Sequence, residues 1–199
     1  MQKLIIASNN AHKIAEIKEI LSPFYSEILS LKEAGLSVEV EEDGETFEEN
    51  ALKKAEEIFR AAGGGAAVLS DDSGLMVDAL SGAPGVRSAR FAGEGHNNAA
   101  NTAKLLQAMA DVPLPERGCR FVSAVALVQP GREPVVARGV VEGRVLHVLR
   151  GWNGFGYDSV FYYAPLKRSF AELTAWEKNR ISHRKNALEA LRKILSEEA

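Results

Sequence analysis

The 199-residue chain, 46% apolar and 26% charged, has the make-up of an ordinary soluble globule, long enough for one domain, or one domain with a lobe, around a sizeable core. Its formal net charge of −3 argues against a general DNA or RNA binder, and a single cysteine, Cys119, excludes both an intramolecular disulfide framework and a Cys-rich metal site. No apolar run approaches the roughly 18 residues that span a bilayer, and no long apolar leader opens the chain, so a cytoplasmic protein with no nucleic-acid or membrane partner is expected.

Lys3–Ala7 (KLIIA) reads as a buried strand and Asn10–Leu21 as a helix with Ile14, Ile17 and Leu21 on one face. Between them stands Ser8-Asn9-Asn10-Ala11-His12-Lys13. A helix N-terminus carries bare N–H groups and partial positive charge, so a Lys there gains little from its own helix. It gains if an anion sits at that end and uses both the N–H groups and the ammonium. The plainer alternative is an Asn9 or Asn10 cap with Lys13 pointing into water.

Glu27–Leu31 looks like a second strand, and Val38-Glu39-Val40-Glu41 alternates as a strand would, with Glu39 and Glu41 on one face. From Glu39 to Glu49 there are seven acidic residues and no Lys or Arg. Thr46–Ala62 is a helix: Thr46 and Glu49 make a capping box, Ala51, Ala55, Ile58 and Ala62 form the apolar stripe, and Gly63–Gly65 stops it.

Ala67–Ser70 is a short apolar strand that runs into Asp71-Asp72-Ser73-Gly74, read as a turn. Ligands of open α/β sheets bind at such strand ends, although Asp-Ser-Gly is also common turn chemistry. Adjacent carboxylates point to different sides of the chain, so one of the two faces a given ligand. Ser81–Gly95 is a long loop with a turn at Ala83-Pro84-Gly85, and Asn98–Met109 is helical. Arg120–Gln129 and Glu133–Leu149 form a hairpin around Pro130-Gly131. In the glycine-rich Gly151–Asp158 loop, Phe155 and Tyr157 flank Gly156 and either stack on a base, a contact worth ~1–3 kcal/mol, or fill the core.

Leu188, Leu191 and Leu195 mark a last helix capped by Ser182. Its first turn holds His183, Arg184 and Lys185, which the macrodipole disfavours by ~0.3–1 kcal/mol each. From Lys167 to Lys193 there are eight Lys or Arg against three Glu, so an acidic and a basic stretch share the chain. Each is a solvated face by default. Together they are what a metal–polyphosphate site needs, carboxylates for the metal and cations for the phosphates. Strands and helices mix without strict βαβ order, which predicts an α/β fold with a mixed sheet.

The ordered set SNNAHK with Glu16, TFEENALKKA from Thr46, SDDSGL from Ser70, GAPGVRSARFAG from Gly82, GFGYD from Gly154, AEL from Ala171 and EKNRISHR from Glu177 resembles the inosine triphosphate pyrophosphatase family across essentially the whole chain. Two positions depart from its pattern: Ser159 stands where a Pro is expected, and Arg87 replaces a residue that is often aromatic. The resemblance implies a single nucleoside-triphosphate pyrophosphatase domain over residues 1–199. Its fold would be an elongated mixed sheet flanked by helices, with the nucleotide cleft between two lobes. It would hydrolyse ITP, dITP or XTP to the monophosphate and pyrophosphate, with Mg²⁺ assisting water attack on the α-phosphorus, and would be a homodimer that cleanses the nucleotide pool.

By the same resemblance, Ser8, Asn9, Asn10, Ala11, His12 and Lys13 cradle the triphosphate, and Lys54 adds a phosphate contact. Asp72 is the general base and a metal ligand, Glu41 a second metal carboxylate, and Asp71 or Glu42 a helper. Ser73 touches substrate. Phe155, Gly156, Tyr157, Asp158, Lys178, His183 and Arg184 form the nucleoside pocket, where Arg184 and a protonated His183 donate to a 6-oxo group that adenine lacks. Two other readings stay open: a pyrophosphatase for modified pyrimidine triphosphates, which a substrate panel separates, and a nucleotide-binding module without catalysis, which has no need of a base beside its phosphate grip.

Overall fold

The computed structural model describes residues 3–95 and 97–197. Its main elements in order are β1 (Lys3–Ala7), α1 (Ala11–Leu21), β2 (Glu27–Ser30), α2 (Phe47–Ala61), β3 (Ala67–Val77), α3 (Asn98–Ala108), β4 (Gly118–Val128), β5 (Val135–Val145), β6 (Phe161–Tyr163), β7 (Arg168–Ser169), α4 (Ala175–Asn179) and α5 (His183–Glu197). Seven strands form one sheet in the order β2-β1-β3-β4-β5-β6-β7. β1 is parallel to β2 and β3, whereas β6 is antiparallel to β5 and β7, so the sheet is mixed, as expected. No described helix is long and apolar enough to cross a membrane.

The chain divides into two compact units. The first holds residues up to Asp72, Ser123–Gly139 and the chain from Arg184; the second holds Ser73–Val122 and Val140–His183. Within the first unit, Leu4 and Ile6 of β1 and Ala67 and Leu69 of β3 pack with Ile17 and Leu21 of α1 and Leu188 and Leu191 of α5. Ile5, Ala7 and Val68, one residue out of step, pack with Ile58 of α2 on the opposite face. Successive side chains of a strand alternate faces, so helices on both faces explain why KLIIA is apolar throughout. The second unit has its own core, centred on Leu75, Leu105, Phe121, Val141, Phe161 and Phe170.

Caps and stops follow the sequence. Thr46 and Glu49 form the capping box of α2, and Gly63 and Gly64 follow that helix at φ of 77° and 71°, which suits glycine. Asn10 caps α1, its side chain accepting from the His12 and Lys13 N–H groups. Two expectations are corrected. Val38–Glu41 forms no strand: Val38 and Val40 pack inward, but the sheet already ends at β2, so the alternation records one-sided burial without a ladder. Asp71-Asp72-Ser73-Gly74 is no turn but the middle of β3, which runs on for seven residues beyond Ser70. Gly74 is needed there for close approach, since a Cβ would sit 2.3 Å from Ser88 Oγ and 2.6 Å from the Gly85 carbonyl oxygen. The sequence predicts no elements where β6, β7 and α4 lie, because these are too brief to show a period.

Candidate active site

β1 stops at Ala7, opposite Ser70 of its parallel neighbour, while β3 continues. Asp71 and Asp72 therefore lie just past the carboxyl end of a parallel strand, where the following loop, Ser8–Asn10, begins. The pleat separates them. Asp71 continues the odd-numbered row of Ala67 and Leu69 and faces α1 and α5; Asp72 continues the even-numbered row of Val68 and faces α2.

Asp71 has no solvent exposure. Its Oδ1 accepts from Ser123 Oγ at 2.5 Å and Arg184 Nε at 3.2 Å, and its Oδ2 from Arg184 Nη2 at 3.2 Å and Lys13 Nζ at 2.8 Å. Arg184, also without exposure, forms a second ion pair with Glu16 of α1. Burial alone would raise the Asp71 carboxyl, but the Arg184 and Lys13 charges, with hydrogen bonds from Lys13 and Ser123, hold it well below the usual carboxylate range. With four donors and no exposure, Asp71 is less open to a metal than Asp72.

Asp72 is set up differently. Its Oδ2 accepts from Asn50 Nδ2 at 3.1 Å, and the Asn50 Oδ1 accepts from the Gly44 N–H at 2.8 Å. Burial pushes the Asp72 carboxyl up to about 6; Lys13 and Lys54 oppose the rise, as does the Asn50 bond, while Glu42 adds to it. Lys13 and Lys54 both reach the main-chain oxygen of Asp71, at 3.4 Å and 3.0 Å, and Lys54 forms an ion pair with Glu42. The first unit thus gathers two ammonium groups and a buried, poised carboxylate around the end of β1. Lys13 does not point into water, although Asn10 caps its helix: both halves of the question raised by that stretch are answered by one geometry.

Ser8 is half-buried, and Asn9, Asn10, Ala11 and His12 are exposed beside this cluster. Glu41 is exposed, whereas Glu42 turns toward Lys54. Among the described residues no group of three or more His, Cys, Asp or Glu is arranged to hold a metal. Magnesium does not require one, because it takes one or two carboxylates and completes its shell with phosphate oxygens and water. Asp72 with Glu41 or Glu42 supplies oxygen donors of that kind.

The second unit holds Ser73, half-buried, and the other predicted residues. Asp158 is buried and ties down its own loop: Oδ2 accepts from the Phe155 N–H at 2.9 Å and from Lys178 Nζ at 2.7 Å. Gly154 has φ 76°, and a Cβ there would fall 2.1 Å from that same oxygen. Lys178 Nζ also stands 4.5 Å over the half-buried Phe155 ring. Gly156 has φ 60° and its carbonyl accepts from Thr102. Tyr157 instead turns into the core and donates its hydroxyl to the Ser88 carbonyl at 2.8 Å, so the two aromatics part company. His183 is buried with its ring stacked on Phe121, centroids 4.9 Å apart.

Sequence reasoning missed Asn50 and Ser123. Ser123 had a signal, a single hydroxyl within the apolar run FVSAVALV. Asn50 had a weaker one, a poor helix former in the first turn of an otherwise strong helix. Glu16 belonged to a quoted motif but had no role until Arg184 was seen against it.

The profile of the Ham1 family matches residues 4–194. The chain is 50% identical over 196 residues to a dITP/XTP pyrophosphatase of Clostridium perfringens, covering 96% of each chain. It is 48% identical to a dITP/XTP pyrophosphatase of Leuconostoc mesenteroides over 97% of this chain and 96% of that one. Among solved structures, the Staphylococcus aureus Ham1 protein superposes with a TM-score of 0.86 at 39% identity, covering 100% of both chains. With that agreement in sequence and fold along its whole described length, the chain belongs to the Ham1 family.

Proposed function

We propose that this protein hydrolyses the non-standard purine nucleoside triphosphates dITP, XTP and ITP to the monophosphate and pyrophosphate, clearing them from the nucleotide pool of the cytoplasm. The observation that carries the reading is Asp72: a buried carboxyl pushed up to about 6, positioned by Asn50 and influenced by two lysines whose ammonium groups meet on the neighbouring carbonyl oxygen. A general base works best with a pKa near the working pH, and anhydride cleavage needs cations where negative charge accumulates. The dITP/XTP pyrophosphatase relatives support the substrate class.

In this reading Lys13 and Lys54, with the Ser8–Lys13 loop, bind the triphosphate, and Ser73 contacts it beside Asp72. Asp72 takes the proton of a water that attacks the α-phosphorus, and pyrophosphate leaves. Mg²⁺, held by Asp72 with Glu41 or Glu42 and by the phosphates, would neutralise charge on the phosphate oxygens. Phe155 offers its ring face to the base, Gly156 brings its backbone close, and Asp158, with Lys178, fixes that loop. His183 and Arg184 donate to the 6-oxo group of hypoxanthine or xanthine. A homodimer fits the exposed Val148, Leu149, Trp152, Leu166 and Trp176, which account for five of the seven large apolar side chains left exposed among the described residues.

Product analysis tests the reaction. XTP with Mg²⁺ should give monophosphate and pyrophosphate in one step, with ¹⁸O from labelled water found in the monophosphate. Orthophosphate and a diphosphate appearing first would place the attack at the γ-phosphorus and remove Asp72 from the role assigned to it.

A further inference from the structure

Lys54 has two partners of unlike kind. The Asp71 carbonyl oxygen, 3.0 Å away, belongs to the main chain of β3, inside the sheet. The Glu42 carboxylate belongs to a side chain 35% exposed, in a segment with no regular structure between Leu36 and Gly44. Turning that side chain toward water breaks neither a ladder nor a helix. Lys54 itself is 13% exposed. Glu41, the neighbour of Glu42, is exposed and Asp43 is paired with Lys53 at 2.6 Å, whereas Glu42 is paired with Lys54.

We infer that Glu42 holds Lys54 in the ligand-free protein as a stand-in for a phosphate oxygen and is displaced from it by an incoming polyphosphate. The inference rests on reading Lys13 and Lys54 as a triphosphate grip. Glu42 then opposes anion binding through Lys54. A ligand with a single phosphate gains too little to displace a tethered carboxylate, whereas a triphosphate, which also engages Lys13, gains enough. Meanwhile the long Lys54 side chain stays ordered, so its entropy is not lost at the moment of binding. Glu42 is a positioning residue in this account, acting through Lys54.

The test measures binding of inorganic tripolyphosphate by calorimetry in excess EDTA, where no metal-binding role can contribute, on the full chain. Glu42→Gln should tighten binding by about 1.5- to 5-fold, the range for a partly exposed ion pair removed as competitor. Glu42→Asp, with its shorter arm, should fall between that variant and the parent. Lys54→Met should weaken binding, and adding Glu42→Gln to Lys54→Met should change nothing further. Glu41→Gln serves as the control for general charge and should shift binding less than Glu42→Gln. Unchanged or weaker binding by Glu42→Gln overturns the inference, as does tightening that persists without Lys54, which is plain repulsion. If the parent binds tripolyphosphate and cleaves XTP while Glu42→Gln is silent, the inference falls alone. If the parent binds no tripolyphosphate, the grip itself falls with it.

Discussion

Replacing Asp71 by Asn removes the charge that Lys13 and Arg184 share and leaves both beside a neutral amide. Breaking a buried ion-pair cluster in this way costs ~3–5 kcal/mol. The Asp71 carboxyl is held below its ordinary value of 3.8, so its contribution is present above that pH and lost as pH falls through the lower folded value. The melting temperature of Asp71→Asn should therefore lie well below the parent's at pH 8, with the gap closing under pH 4. Asp72→Asn has the opposite sign. Its carboxyl is raised from 3.8 to about 6, so the fold is at no disadvantage below pH 4 and loses stability as pH rises through 6. A shift of that size corresponds to at most ~3 kcal/mol at 1.36 kcal/mol per unit. Asp72→Asn should melt above the parent at pH 8 and level with it at pH 3.5, while kcat falls at least ~10³-fold from loss of the base and weakened metal binding. A variant that lost stability at pH 8 would show that Asp72 is not a strained, functional carboxylate. For the parent, kcat/KM should climb as pH rises through 6 and stay high on the alkaline side, because the base must be unprotonated.

At the level of elements, α5 bears the least obvious arrangement. Its first turn carries three basic residues, and the structure shows where one of them goes: Arg184 is locked by Asp71 and Glu16. Arg184→Ala would thus mix lost stability with lost recognition. Arg184→Lys keeps a cation for Asp71 but removes the fork that reaches Asp71 and Glu16 at once. Its preference for XTP over ATP should shrink, while melting drops less than in Arg184→Ala; an unchanged preference would take Arg184 out of base reading. In β3, Gly74→Ala should destabilise the protein by ~1–3 kcal/mol or more by chemical denaturation, because one of the clashing atoms is backbone. These two elements also mark how far sequence reasoning reached. The caps of α1 and α2, and the apolar period of those two helices and of α5, were legible because the period repeats over several turns. The length of β3 was not, since Asp-Asp-Ser-Gly is local turn chemistry and only the pairing with β4 on its other side overrides it.

For the whole molecule, activity should vanish in excess EDTA and return with Mg²⁺; full turnover in chelator would rule out the carboxylate–metal reading. The residues proposed to act were legible one by one, because a Lys at a helix start and paired acids after a strand are odd choices for stability. Their division of labour was not. Which of two adjacent carboxylates is neutralised and which is poised depends on the faces of the sheet, and so on which helices cover each face. Equally, Phe155 and Tyr157 look alike in sequence, and only the packing of Ser88 against Tyr157 decides that one of them is core.

The carbonyl oxygen on which Lys13 and Lys54 converge belongs to the main chain, and no codon change can delete it. Whatever residue mutation places at position 71, its carbonyl oxygen remains available to the two ammonium groups, so the spacing of the proposed phosphate grip keeps one anchor that genetic variation in the surrounding side chains does not remove. Only chemistry on the backbone can probe it. Making residue 72 by semisynthesis as the α-hydroxy acid turns the Asp71 amide into an ester, whose carbonyl accepts hydrogen bonds more weakly, while also removing one main-chain N–H. Set beside the same exchange at residue 76, also within β3, the ester at 72 should weaken tripolyphosphate binding more than it lowers the melting temperature.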